Sequence, residues 1–306
     1  MEDYDQLTMI TVFILCHNRP TDAQKTIASV LRQTHPPASL IISDNSSHDA
    51  VEQMVKENFP EIQYIRRPRG LNAFDHFNLC MTEVKTDYFC LFHDDDLMHE
   101  NFLEALVSAA LAFPQAIAIG CNAQIQNVHA QIENFSFKSS NLYDEISSPM
   151  DLARRYFSRN QSGIAPFPGY IYKRRLTENV NFNRSGGKYG DVTWLISLAQ
   201  LAPIVWINQP LMTYRLHGEN DGLVESRRDR LKLLAFLKSH KEILTQDLLN
   251  DFRISFIYKP ILEKKSNHSN RTKLAHLFLK NYRLKRYFKS ATYKDLLKRA
   301  IIKWGF

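Results

Sequence analysis

Glycine is scarce in this chain, with ten residues in 306. Neither Gly-x-Gly-x-x-Gly nor a Walker A loop occurs, so a dinucleotide-dependent oxidoreductase and a P-loop nucleotidase are not supported. There are four cysteines, Cys16, Cys80, Cys90 and Cys121, and no Cys-x-x-Cys pair. That argues against a zinc ribbon and a thioredoxin-like motif. Cys90 lies inside an apolar run, and Cys16 and Cys121 end such runs; reduced thiols used as small core residues are expected. No uninterrupted apolar stretch reaches the ~18 residues of a spanning helix. The longest candidate, 109–120, is broken by Pro114. The opening Met1-Glu2-Asp3-Tyr4-Asp5 lacks the basic start and apolar centre of a secretory signal. A cytoplasmic location is expected.

What is present is an ordinary globular composition, 44% hydrophobic and 23% charged, with ample apolar surface to bury. The net charge of +7 is unevenly placed. From Ser226 onward there are 21 Lys+Arg against 6 Asp+Glu; the residues before it carry 18 against 26. The basic C-terminal part is therefore expected to have a partner of its own.

Along the first 125 residues two periodicities alternate. Short β-rich runs fall at 10–16, 40–43, 62–65, 88–92 and 116–121, with helical patterns near 49–58, 73–84 and 100–113. Thr21 after Pro20, with Gln24 three residues on, predicts an N-cap and capping box for the first helix. Strand–helix repetition with near-continuous apolar strands predicts an α/β domain built on a mostly parallel sheet covered by helices on both faces. The polar stretch 127–160 reads as excursions with a short helix near 151–157. A strand at 170–172, a helix over 192–200 and a strand at 204–207 follow. Beyond Asn220 the pattern is helical and basic.

Ligands of such sheets bind beyond the carboxyl ends of the strands, and polar clusters stand there. The strand 88–92 runs into His93-Asp94-Asp95-Asp96. Three successive carboxylates repel one another unless a cation or donors compensate. A hard divalent cation prefers oxygen ligands and shares its shell with substrate phosphates. Asp94 and Asp96 are two apart, which on extended chain puts them on one side. After the second strand comes Ser43-Asp44-Asn45-Ser46-Ser47, where an aspartate can accept from a base imide or a ribose hydroxyl. An Asx turn is the plainer account. After the first strand stands Cys16-His17-Asn18-Arg19-Pro20. Gly186-Gly187-Lys188-Tyr189-Gly190-Asp191 leads into a helix whose N-terminus can hold a carboxylate ionised. Last comes Tyr214-Arg215-Leu216-His217, with a histidine able to ligate a metal or bind phosphate.

In this order and at these spacings the clusters resemble those of glycosyltransferase family 2, the inverting GT-A enzymes, over roughly residues 9–222. The resemblance implies a Rossmann-like GT-A catalytic domain at 1–222 and a basic helical region at 223–306. His17, Asn18 and Arg19 resemble the first nucleotide-binding segment, and Asp44 the acidic residue that contacts the base. Arg69-Gly70-Leu71-Asn72-Ala73 looks like a segment that helps hold the nucleotide, through Arg69 and Asn72. His93-Asp94-Asp95-Asp96 resembles the DxD metal site, with Asp94 and Asp95 toward the nucleotide and Asp94 and Asp96 toward Mn²⁺ or Mg²⁺. His217 stands where the family's late histidine completes that site. Asp191 stands where the family carries its catalytic base, although Gly190 replaces the glutamate that usually precedes it.

The implied activity is transfer of a sugar from a nucleotide-diphospho sugar, UDP-linked by expectation, to a hydroxyl of a glycan or lipid-linked glycan, as in surface polysaccharide assembly. Two alternatives are a sugar-phosphate nucleotidyltransferase, whose glycine-rich basic first loop is not evident, and a non-catalytic nucleotide-sugar-binding subunit. In the tail, Tyr293, Leu296, Leu297, Ala300, Ile301 and Trp304 form a helical stripe flanked by Lys294, Lys298, Arg299 and Lys303. That pattern suits a helix lying on an anionic membrane, on the inner face of the cell membrane; packing on the catalytic domain is the other option. Nucleic acid is not an expected partner, because no recognition motif accompanies the charge.

Overall fold

A computed structural model describes residues 9–127, 129, 132–134, 141–157, 167–217, 226–240 and 245–252. The expected amphipathic stripe at 293–304 lies outside them, as does most of the basic region. Strands β1 (Ile10–Cys16), β2 (Ser39–Asp44), β3 (Gln63–Arg66) and β4 (Tyr88–His93) alternate with helices α1 (Pro20–Leu31), α2 (Ala50–Asn58) and α3 (Ala73–Glu83). Then follow β5 (Leu97–Met98), α4 (Phe102–Ala112), β6 (Ala118–Gln126), β7 (Ile132–Asn134), β8 (Tyr143–Ile146) and α5 (Pro149–Phe157). The chain continues through β9 (Tyr170–Lys173), α6 (Arg174–Thr177), α7 (Gly190–Leu198), β10 (Ile204–Arg215), α8 (Arg227–Ser239) and α9 (Gln246–Phe252).

The strands join in one sheet of order β3-β2-β1-β4-β9-β6-β10-β5, with β7 on β6 and β8 on β10. β1, β2, β3 and β4 run parallel. β9 enters antiparallel between β4 and β6, and β6 and β10 are again parallel. The sheet is thus mixed: a parallel half carries the strand ends that matter, and an antiparallel insertion widens it. β1 is buried at every position, as a central parallel strand covered on both faces must be. Its side chains join those of β4, α1 and α4 in one apolar core containing Ile14, Ile27, Phe92, Phe102 and Leu106.

The first helix starts differently from expectation. Arg19 occupies the N-cap and Pro20 the first turn, and no side chain caps the helix. Proline has no N–H to satisfy and a preset φ, so it opens the helix two residues earlier than a Thr21 cap would. Just before it, Asn18 sits at φ 60°, a left-handed conformation that asparagine tolerates better than most residues. Its amide donates to Ser46 Oγ at 2.7 Å and its Oδ1 accepts from the Ser47 amide at 2.9 Å. These bonds lock the ends of β1 and β2 together. β10 also exceeds expectation. It continues through register shifts around Pro210 as far as Arg215, and so delivers residues 214–217 to the same edge as β4.

Candidate active site

The ends of β1, β2, β4 and β10 meet around a cavity of about 330 Å³. His17 and Arg19 enter from β1, Asn45 from β2, His93, Asp94 and Asp95 from β4, and Tyr214 from β10. Leu71, Ala73, His76 and Phe77 close the side beside α3.

The acidic triplet is spent in three ways. Asp94 is buried and accepts from the His17 amide at 2.7 Å and from Arg19 Nη1 at 2.8 Å. Burial pushes its carboxyl up to about 6, against the pull of those two donors. Asp95 accepts through a single oxygen, Oδ2, from Arg19 Nη1 at 3.0 Å and bonds His217 Nε2 at 2.8 Å. Burial raises the Asp95 carboxyl, but the charge of His93, the His217 bond and Arg19 outweigh it and hold it below the usual range. Asp96 is fully buried. Its Oδ1 accepts from the Arg215 amide at 3.1 Å, while Oδ2 is enclosed without a hydrogen-bond partner. Burial first, and the neighbouring Asp95 second, push its carboxyl well up. Thr26 Oγ1 donates to the carbonyls of Asp94 and Asp96 at 2.9 and 2.7 Å, fixing the turn from α1. Arg215 Nε donates to the Asp95 carbonyl, and its Nη1 reaches Asp22 at 3.0 Å.

His93, Asp95 and Asp96 each offer one ligand atom, and these atoms lie within 4.8 Å of one another. Two carboxylates and an imidazole, with one orphaned buried oxygen among them, suit a divalent ion such as Mg²⁺ or Mn²⁺. The expected set was Asp94, Asp96 and His217. Instead, His93 gathers with Asp95 and Asp96, His217 stands against Asp95, and Asp94 is tied to the β1 turn.

The remaining candidates divide. Asp44 is wholly buried. Its Oδ2 accepts from Tyr64 Oη at 2.6 Å and Arg66 Nη1 at 3.0 Å, and its Oδ1 from the Ser46 amide at 2.8 Å. Asn45, one residue on, lines the cavity instead, bonding His17 Nδ1 at 3.0 Å and the Leu71 carbonyl at 2.9 Å. Asn72 caps α3 by accepting from the Asp75 amide. Arg69 is exposed and reaches Asp49 at 3.2 Å. Neither lines the cavity.

Asp191 occupies the first turn of α7, where the backbone amides of Val192 and Asp191 pull its carboxyl down. Burial outweighs those donors and pushes the carboxyl up to about 6. Its field reaches the phenol of Tyr214, which also feels Asp96 and Asp95; Tyr214 therefore lies within electrostatic reach of both acidic sites. The helix carrying Asp191 is anchored from below. Trp194 stacks on Phe182 with centroids 4.0 Å apart and donates to the Val180 carbonyl at 2.8 Å. A Cβ at Gly190 would clash with the edge of the Phe74 ring, which accounts for the glycine at that position.

Sequence reasoning missed His93, Asn45, His76, Phe77 and Tyr214 as cavity residues. His93 and Asn45 sit directly beside residues that were singled out, and strand alternation alone leaves open which neighbour faces the ligand edge. His76 was hidden inside a helix. It bonds Ser43 Oγ at 2.7 Å, and Arg67 Nε donates to the same hydroxyl at 2.7 Å while its two Nη groups hold Glu83 at 2.6 Å each. Burial, and then the charge of Arg67, lower His76 to about 4.

Comparison with known proteins agrees with this architecture. Residues 11–180 match the family described as Glycosyl transferase family 2. That is more than half the chain, and the chain belongs to this family. Among curated relatives, it is 23% identical over 246 residues to Glycosyltransferase GlyA of Streptococcus pneumoniae serotype 4, covering 74% of this chain and 34% of that protein. Protein CgeD of Bacillus subtilis (strain 168) is 22% identical over 226 residues, 67% of this chain and 49% of CgeD. The chain thus spans between a third and a half of the curated relatives it matches. Among solved structures, S. aureus TarS 1–349 aligns with a TM-score of 0.60 at 14% identity, over 84% of this chain and 75% of TarS. Its complex with UDP-GlcNAc gives 0.61 at 12%, over 84% and 76%. The shared architecture is the GT-A fold.

Proposed function

We propose that this protein is a metal-assisted glycosyltransferase that transfers a sugar from a nucleotide-diphospho sugar, with UDP as the nucleotide, to a hydroxyl of a glycan or lipid-linked glycan. The observation that carries the reading is the convergence of Asp94, Asp95, Asp96, His93, His217 and Arg19 at the carboxyl edge of the parallel strands. The family match and the UDP-GlcNAc complex of the structurally similar TarS support the substrate class.

The nucleotide lies in the cavity, with its base toward Asn45, Leu71 and His76 and its diphosphate toward Arg19 and the acidic triplet. His17 and Asn18 shape the turn that supports it. Asp44 acts one layer below, holding Arg66 and the Ser46 amide in place. Asp95 with Asp96 and His93 would hold Mn²⁺ or Mg²⁺, with His217 beside Asp95. Such an ion supplies compensation for the negative charge that develops on the departing diphosphate. Arg19 adds a cation on the same side. Asp191 takes the proton from the acceptor hydroxyl as that oxygen attacks the anomeric carbon. One displacement from the face opposite the diphosphate inverts the configuration. A carboxyl near 6 is ionised at neutral pH yet basic enough to share a proton.

Among the described residues no helix is long and apolar enough to cross a membrane. The excess of basic residues after Ser226 supports a cytoplasmic protein that meets its acceptor at an anionic membrane surface, in polysaccharide assembly. The test is a panel of nucleotide sugars incubated with the full chain in Mn²⁺, Mg²⁺ or EDTA, with release of nucleoside diphosphate followed. Slow metal-dependent hydrolysis of a UDP-sugar is expected. If no member of the panel binds or turns over with either metal, the reading is wrong.

A further inference from the structure

Arg19 already occupies the acidic cluster as a cation. Its Nη1 lies 2.8 Å from Asp94 Oδ1 and 3.0 Å from Asp95 Oδ2, with the side chain 25% exposed. The same Asp95 oxygen meets His217 Nε2 at 2.8 Å. A divalent ion ligated by Asp95 would stand about 2.0–2.2 Å from a carboxylate oxygen. A guanidinium held 3.0 Å from Oδ2 of the same carboxylate would then face it at a distance where two positive charges repel strongly. The orphaned Asp96 Oδ2 and its two neighbours invite an ion, yet the arginine shares the ligand they need.

A diphosphate resolves the conflict. It offers paired anionic oxygens of the kind a guanidinium fork binds bidentately. Arg19 lines the cavity in which such a group would lie. Its backbone is held by the left-handed turn at Asn18, so only its side chain has to move. We propose that Arg19 is the resident counter-cation of the Asp94–Asp95 pair, and that the donor's diphosphate draws it away, so that donor and divalent ion bind with positive coupling. The proposal rests on the nucleotide-sugar reading above.

The experiment measures Mn²⁺ affinity of the full chain calorimetrically, alone and with saturating UDP, for the wild type, Arg19→Gln and Arg19→Met. Coupling free energies between sites usually correspond to about 5- to 150-fold in affinity. Both variants should bind Mn²⁺ alone on the order of 10-fold more tightly than the wild type, and the further gain from UDP should shrink by the same factor. Lys25→Gln removes a positive charge from the same helix, where Lys25 contacts Asp22 and not the triplet; its Mn²⁺ affinity should not change. UDP should bind the wild type in EDTA and bind both Arg19 variants more weakly. Thermal melting identifies which variants are folded, and either one suffices. If UDP and Mn²⁺ both bind the wild type but a folded Arg19 variant binds Mn²⁺ alone no more tightly, the coupling role fails and the donor reading stands. If the wild type binds no UDP under any condition, the donor reading itself fails.

Discussion

Replacing Asp191 by asparagine tests chemistry and folding at once, and the two should move in opposite directions. The side chain keeps its size and can still accept from the amides of the first turn of α7, but it loses the charge and the ability to take a proton. Loss of a general base slows a reaction by about 10²–10⁴-fold, so transfer should fall by that factor while UDP affinity stays within twofold. The carboxyl is raised from 3.8 to about 6 by burial. A folded-state value above the unfolded one means that the folded protein holds its proton more tightly. This group therefore costs no stability below about pH 4, loses ground as pH climbs from there to about 6, and carries its full penalty above. At 1.36 kcal/mol per pH unit, the penalty is on the order of 3 kcal/mol. Asparagine never ionises, so Asp191→Asn should melt several degrees higher than the wild type at pH 8. The gap should close toward pH 4. Paired transfer assays and melting curves at pH 4, 6 and 8 measure both effects. A variant that transfers at an undiminished rate, or melts lower at pH 8, would refute the assignment of Asp191 as a desolvated base.

Two further substitutions probe what holds the site. Gly190→Ala should destabilise by about 1–3 kcal/mol through overpacking, because its methyl meets the Phe74 ring. Adding Phe74→Leu should recover most of the loss in urea unfolding, and a double variant no better than the single one would show that the clash is not the cause. Arg67→Ala should cost about 1.5–3 kcal/mol, since it removes charge-assisted hydrogen bonds to Glu83 and one of the bonds to the Ser43 hydroxyl, which keeps His76. Glu83→Gln, which leaves acceptor and hydroxyl in place, should cost less, and equal losses in the two would overturn that ranking.

The parallel half of the fold was legible because its signals are local. Ile10–Cys16 is one unbroken apolar run, and burial on both faces demands nothing else. β10 was read only as far as Ile207 because Asn208, Gln209 and Pro210 break the pattern there, and only pairing with β6 carries the strand across that break. The acidic triplet announced itself through three adjacent like charges. The division of labour within it did not, because partners 75 to 122 residues away decide it: Arg19 for Asp94 and Asp95, His217 for Asp95, Arg215 for Asp96. Asp44 shows the same limit. Its position after β2 pointed to a nucleotide contact, while Tyr64 and Arg66, two strand neighbours, take up its outer oxygen.

Helix α8 begins in the region set apart by its basic charge, yet its cap reaches back to the turn before α7. Ser226 and Asp229 form a reciprocal capping box, and Asp229 Oδ1 also accepts from the Lys188 amide at 3.2 Å, beside Gly187 at φ 63°. One carboxylate thus clips down the turn that leads into Asp191. Anyone shortening this protein to remove the positive tail should cut after Phe252, because a cut near residue 222 would discard the clip and loosen the loop that carries Asp191.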